Sequence, residues 1–254
     1  MFFNEQQIIN LKKVFNDEHR KDSPITATDS ETIWREIQMR MRRQCDRGTA
    51  ECIIASMITK PDAPSSWKKN PDEWLSSDDI DGVEKQYARI FKNYYYAGTI
   101  PIDFNKKSKT GQCLVDSLCS MKIVDLYKKG YTQIGIVFNT DKSTGSGKHW
   151  IALFCDIRPE LEYPRITYFD SYAFKPEKQI QKLMARWKEE WDATGTHSNP
   201  MVQTYNKTKH QHQDSECGMY SIYFHFCCLL GIPMEDRIPD EVVRGFRGLL
   251  FKVG

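Results

Sequence analysis

Hydrophobic residues recur along this chain at two spacings, and each predicts its own elements. From Asn4 to Arg20, Ile8, Ile9, Leu11, Val14 and Phe15 keep the period of a helix, with Asn4 as N-cap and Gln7 placed to complete a capping box. A second helix is expected from Thr28, where Glu31 completes another such box, through Ile33, Trp34, Ile37 and Met41 to about Arg43. Residues 52–58 are a short apolar segment whose type the pattern does not decide. Ile80, Val83, Tyr87, Ile90 and Phe91 form one face of a helix capped by Ser76 or Ser77 and ending near Tyr96 to Gly98. Further helices are expected from Val115 to Tyr127, from Pro176 through Trp187 and Trp191 with Ile180, Leu183, Met184 and Trp187 inward, and from Pro239 with Val242, Val243, Phe246, Leu249 and Leu250 forward.

Short apolar runs of strand character lie at Ile134–Phe138, Trp150–Phe154, Ile166–Phe169 and Met201–Tyr205. The run Ser221–Leu230 has no polar face and reads as a helix buried on all sides, stopped by Gly231 and Pro233. Between Lys60 and Pro71, three prolines break every regular pattern and predict a boundary between an N-terminal helical arm, 1–70, and a core, 71–254. Strands and helices alternate, but the apolar helix stands apart to face the sheet. The fold class is therefore α+β, with a central mixed sheet flanked by helices.

Composition narrows the partners more than it names them. The 254 residues can bury one core, or one core with a small appendage. A formal charge of +2 is too small to argue for nucleic acid or a membrane surface, so neither is expected. The basic cluster Arg40–Arg43 sits at a helix C-terminus, where the dipole already favours it. No stretch approaches the roughly eighteen apolar residues of a membrane span, and the N-terminus lacks a signal-peptide layout, so a cytoplasmic location is expected. The eight cysteines are accordingly expected as reduced thiols.

One cysteine has a special place. Cys217 ends a polar, turn-rich run and opens the apolar helix, where the macrodipole and unpaired N–H groups favour thiolate over thiol. Upstream, His149 opens one strand and Asp170 closes the next. If those strands are antiparallel neighbours, imidazole and carboxylate meet at one sheet edge, giving a nucleophile, a base and a group that orients the base. His210 and His212 near Cys217 lack a second ligand pair, so no metal and no cofactor are expected. Gly145-Ser146-Gly147-Lys148 lacks phosphate-loop spacing and leads into a strand.

The run from His149 to Tyr220 resembles the SUMO-specific (ubiquitin-like-protein) cysteine proteases and adenain: His149-Trp150, Asp170 in Tyr-Phe-Asp-Ser, Gln211, then Glu216-Cys217-Gly218. Phe138 to Trp150 is similar to the African swine fever virus polyprotein-processing protease and related proteases of large DNA viruses, a branch that also carries an N-terminal arm. The resemblance implies Cys217, His149 and Asp170 as catalytic residues and Gln211 as an oxyanion donor, with Gln213 the competing amide. It implies substrate contacts by Trp150, Gly218 and Glu216, with Trp150 either covering a passage that admits only glycine or filling the core. Trp74 resembles the tryptophan walling that passage, but an extra residue separates it from Ile80, so tunnel wall and plain packing both stay open. The implied activity is a cysteine endopeptidase cutting after Gly-Gly in viral structural polyproteins during particle maturation. The alternative is deconjugation of SUMO, ubiquitin or a related modifier, which Asp170 favours because the swine fever enzyme has Asn there. The expected partner is a polyprotein or ubiquitin-like protein with a Gly-Gly motif, met by a monomer.

Overall fold

The computed structural model describes residues 3–45, 49–57 and 60–252 of the chain. Met1, Phe2 and Ile58, which enter the readings above, lie outside them. At the centre is a five-stranded sheet in sequential order, β1 (Tyr94–Pro101), β2 (Gln133–Asn139), β3 (Trp150–Asp156), β4 (Arg165–Phe169) and β5 (Val202–Tyr205). The middle three strands are antiparallel, while β1 and β5 join the edges in parallel. The interior of β2 and all of β3 are buried on both faces, which explains why they read as continuous apolar runs.

Alternation sorts those runs into two cores. Ile134, Ile136, Phe138, Ile151, Leu153 and Cys155 point to one side, packing with α5 (Asp116–Cys119), α6 (Ile123–Lys128) and α7 (Lys178–Asp192). Val137, Ala152, Phe154 and Phe169 point to the other. There they meet α1 (Glu5–Glu18), α2 (Ser30–Met41), α3 (Ala50–Met57), α4 (Ser77–Ile90), α8 (Cys217–Leu230) and α9 (Asp240–Leu250). The N-terminal helices thus share a hydrophobic cluster with α8. The proline-rich segment is tied to the end of α9, where Lys252 bonds Pro61 and Ala63 through its backbone and Trp67 packs on Phe251.

Several expectations need correction. Asp29, not Thr28, caps α2: its carboxylate accepts the Thr32 N–H, so Glu31 completes no box. Ser76 caps α4, but the helix stops at Ile90, because Tyr94–Pro101 finds a parallel partner in β2 and sheet pairing overrides the helical pattern. The helix expected over 115–127 is two short ones, since Arg186 of α7 takes the carbonyls of Leu118, Cys119 and Met121 at the break. On α9 the buried stripe is Val243, Phe246, Arg247 and Leu250, leaving Val242 in solvent. The undecided segment is the helix α3. Four cysteines are not thiols: Cys45–Cys52 and Cys113–Cys119 form disulfides, each closed by a short local loop, while Cys217 remains a thiol.

Candidate active site

The strand pairing brings distant residues to one sheet edge. Ala152 lies opposite Phe169 in the antiparallel β3–β4 ladder, so the residue before β3 and the residue after β4 emerge side by side. There His149 Nε2 is 3.0 Å from Asp170 Oδ1, and Cys217 lines the same cleft, near enough to act on the ring's charge. Because Nε2 donates to the carboxylate, Nδ1 is the nitrogen left for sulfur.

Each member is held from behind. Asp170 is almost fully buried; its N–H donates to Asn206 Oδ1 and its carbonyl accepts from Asn206 Nδ2, at 2.9 and 2.7 Å. Its Oδ1 also accepts the Tyr172 N–H at 2.7 Å. Cys217 is the first residue of α8, at the positive end of the dipole, and its carbonyl takes the Ser221 hydroxyl. A Cβ at Gly218 would lie 3.0 Å from Leu75 Cβ and 3.2 Å from Trp150 Cδ1, so a larger residue there obliges that wall to give by a few tenths of an ångström.

Burial alone would drive the His149 pKa down, yet the bond to Asp170 and the interactions with Cys217 outweigh it and carry it up to about 9. The imidazolium is therefore the prevailing form at neutral pH, the charge a thiolate needs beside it. Only 2% of Cys217 is exposed, but that surface opens on a cleft of about 560 Å³ whose lining includes His149, Asp170, Trp74, Tyr172, Phe174 and Asp214.

The remaining sequence-predicted residues divide. Trp74, 46% exposed, lines the cleft. Trp150 is buried, its indole N–H donating to the Leu75 carbonyl at 2.9 Å and its ring edge against Gly218. Gln211 is fully buried: its Oε1 accepts the Ser171 hydroxyl at 2.6 Å and its Nε2 donates to the Gln213 carbonyl at 2.7 Å, leaving one amide hydrogen. Gln213 enters through its backbone. Glu216 turns into the protein, bonded to Arg244 and Ser215. His210 faces Ile238 through Nδ1, and among the described residues no three His, Cys, Asp or Glu side chains are grouped to hold a metal ion.

Sequence reasoning missed Ser171, Tyr172 and Asn206. The first two follow Asp170 directly, which is the signal that could have marked them. Ser171 holds Gln211 through side chain and backbone, and Tyr172 packs against His149 while its hydroxyl donates to the Gln213 carbonyl. Burial first, then nearby Asp214 and Cys217, push that hydroxyl's pKa up to about 12, so it stays a donor.

A thiol on a helix N-terminus, sharing a cleft with an imidazole that a buried carboxylate holds, is the arrangement of a thiol-dependent acyl-transfer hydrolase. Residues 132–252 match the Ulp1 protease family, C-terminal catalytic domain, and the chain belongs to this family, as its motifs led us to expect. It is 30% identical over 171 residues to R355 of Acanthamoeba polyphaga mimivirus, whose name makes it a thiol protease, across 67% of this chain and 52% of that one. It is 32% identical over 130 residues to the SUMO-1 cysteine protease S273R of African swine fever virus (isolate Pig/Kenya/KEN-50/1950), across 50% of this chain and 46% of the relative. The chain thus spans about half the length of the curated relatives it matches.

Two solved structures share the fold. The crystal structure of the African swine fever virus pS273R protease has a TM-score of 0.65 at 21% identity, covering 91% of this chain and 94% of that one. The yeast Ulp1 C-terminal protease domain in complex with Smt3, the yeast ortholog of SUMO, has a TM-score of 0.50 at 14% identity, covering 85% and 92%. Among the described residues no helix is long and apolar enough to cross a membrane.

Proposed function

We propose that this chain is a cysteine endopeptidase that cuts after Gly-Gly in viral structural polyproteins during particle maturation. The observation that carries the reading is the set gathered at one cleft: His149 bonded to Asp170 at 3.0 Å, with Cys217 in the same lining and acting on the ring's charge. Family membership and two relatives from large DNA viruses support the setting.

In the first half-reaction the Cys217 thiolate attacks the carbonyl carbon and pushes the π pair onto oxygen. The Cys217 backbone N–H and the remaining Gln211 amide hydrogen are the donors assigned to that oxyanion. Its collapse breaks the C–N bond, and His149 gives its proton to the departing amine. His149 then takes a proton from water, whose oxygen attacks the thioester; collapse frees the new carboxyl group and returns the thiolate. Asp170 keeps the ring oriented in both halves and stabilises its charge whenever it carries the proton.

Asp170 also favours a second reading, an isopeptidase acting on ubiquitin-like modifiers, because carboxylate at this place is the choice of the SUMO proteases it resembles. Labelling with a Gly-Gly methyl vinyl sulfone tests the shared chemistry: an adduct on the wild type that is lost in Cys217→Ala is expected. No adduct, or equal labelling of the variant, ends both readings. Cys217→Ser or His149→Ala should lower peptide turnover by roughly four to six orders of magnitude. Gly-Gly-X peptides set against SUMO and ubiquitin fusions then decide between substrates.

A further inference from the structure

The cleft has two sides, and the proposed chemistry assigns one of them to the leaving group. Next to Cys217 in the chain, Gly218 packs against Leu75 and Trp150, which are themselves joined by a hydrogen bond. The leaving amine must sit beside the imidazole that protonates it, so the chain after the cut passes the His149 side. That side is formed by the turn after β4. Tyr172 lies 5.2 Å from the His149 ring, centroid to centroid, and Phe174 lies 6.1 Å from Tyr172. Both line the cleft that holds Cys217.

Two features of this turn have no role in the triad. Phe174 leaves 65% of its surface in water, an exposure that a large apolar side chain gains nothing from in the free protein. Between the two aromatics, Ala173 has φ of 64°, the only positive value at a non-glycine among the described residues. Such a backbone is costly and persists where its surroundings hold it, here a bond from Ala173 N–H to the Asp170 carbonyl at 2.8 Å. The strained residue sets Tyr172 and Phe174 along one wall. Near them the cleft carries Glu177 and Asp214; Lys148 lines it too, its charge offset by Asp141 at 3.5 Å, and Lys209 Nζ stands 5.3 Å from the centre of the Tyr172 ring.

We infer that Tyr172 and Phe174 form a subsite for the leaving segment, which selects an apolar side chain at the first or second position after the cut and disfavours an acidic one. This rests on the proposed peptidase reading and extends it to the far side of the scissile bond. Placing an apolar residue on Phe174 covers surface that is otherwise wet, and pocket contacts of this size discriminate by about tenfold.

The test is a Gly-Gly-X peptide panel with Leu, Phe, Ser or Asp at X, and then at the following position, on wild type and Phe174→Ala. The wild type should prefer Leu and Phe over Ser by about tenfold in kcat/KM and over Asp by more. Phe174→Ala should lose that preference, falling for the apolar peptides while the Ser and Asp peptides stay within about twofold. Labelling by the methyl vinyl sulfone, which has no leaving segment, should proceed in Phe174→Ala at the wild-type rate. A flat panel in the wild type, or an equal drop for every X in the variant, overturns the subsite while labelling still supports the peptidase. Failure of wild-type labelling overturns the peptidase reading itself.

Discussion

Replacing Asp170 with Asn removes one charge from the site while leaving its shape almost untouched. Both bonds to that side chain, from His149 Nε2 and from the Tyr172 N–H, end on Oδ1, and an amide oxygen can accept both. What changes is the imidazole. His149 is held near 9 against an ordinary value of 6.5, a preference for the charged ring worth about 3 kcal/mol. Burial opposes that rise, so without the carboxylate the ring keeps the downward push and loses the larger of its two supports. A fall of roughly two pH units is expected. In the wild type the imidazolium persists until pH rises through about 9, and the alkaline limb of kcat/KM should lie there. In Asp170→Asn the limb should move to about pH 7. The ratio of wild type to variant then grows from under about twofold near pH 6.5 to about twentyfold near pH 8.5, simply from the fraction of charged ring. A pH series of vinyl-sulfone inactivation rates reads this directly. A loss that is uniform across pH would refute the assignment of Asp170 as the group that keeps the ring charged.

Two further outcomes concern the scaffold. Gly218→Ala forces a methyl group toward Leu75 and Trp150, so thermal unfolding should show a loss of about 1–3 kcal/mol together with slower labelling; an unchanged melting temperature would mean the wall yields freely. His225→Ala leaves the fully buried Glu84 without its hydrogen-bond partner and opens a cavity, and a loss of about 3 kcal/mol is expected by denaturant titration, with Glu84→Gln costing less because an amide can keep a bond to His225.

How much of this was legible in the sequence depends on whether local pattern or distant pairing decided the outcome. α1, α7, α8 and strands β2 to β5 follow from periodicity, because each buries a face or a run that nothing else competes for. The edge strand β1 was hidden. Tyr94-Tyr95-Tyr96-Ala97-Gly98 has no alternation, and its strand state comes from β2 and from Tyr94 lying over Gly135, where a Cβ would meet the phenol oxygen. At the site, Cys217, His149 and Asp170 were readable as a spaced set, and the antiparallel pairing that joins them was a condition the sequence posed. The hold of Ser171 on Gln211 was not readable, since it spans 40 residues and uses two side chains of ordinary type.

The placement of sulfur is a register problem that hydrophobicity does not solve. A helix that is apolar all round, as α8 is, can rotate or slide against a sheet at little cost, yet the chemistry needs Cys217 over the ends of β3 and β4. Eight residues further on, about two turns and 12 Å, His225 breaks that degeneracy. Its Nε2 donates to the Leu153 carbonyl at 3.1 Å and its Nδ1 meets Glu84 of α4 at 2.8 Å, while the Tyr94 hydroxyl donates to the same carboxylate at 2.7 Å. These groups are wholly buried, so any other rotation of α8 strands a polar group without a partner or water. The aromatic stack of Phe224 on Phe169, at 4.6 Å, fixes the same helix to the strand that ends in Asp170. The polar lock thus ties α8 to β3, β1 and α4, and the thiol at its far end is held to the register in which His149 can reach it.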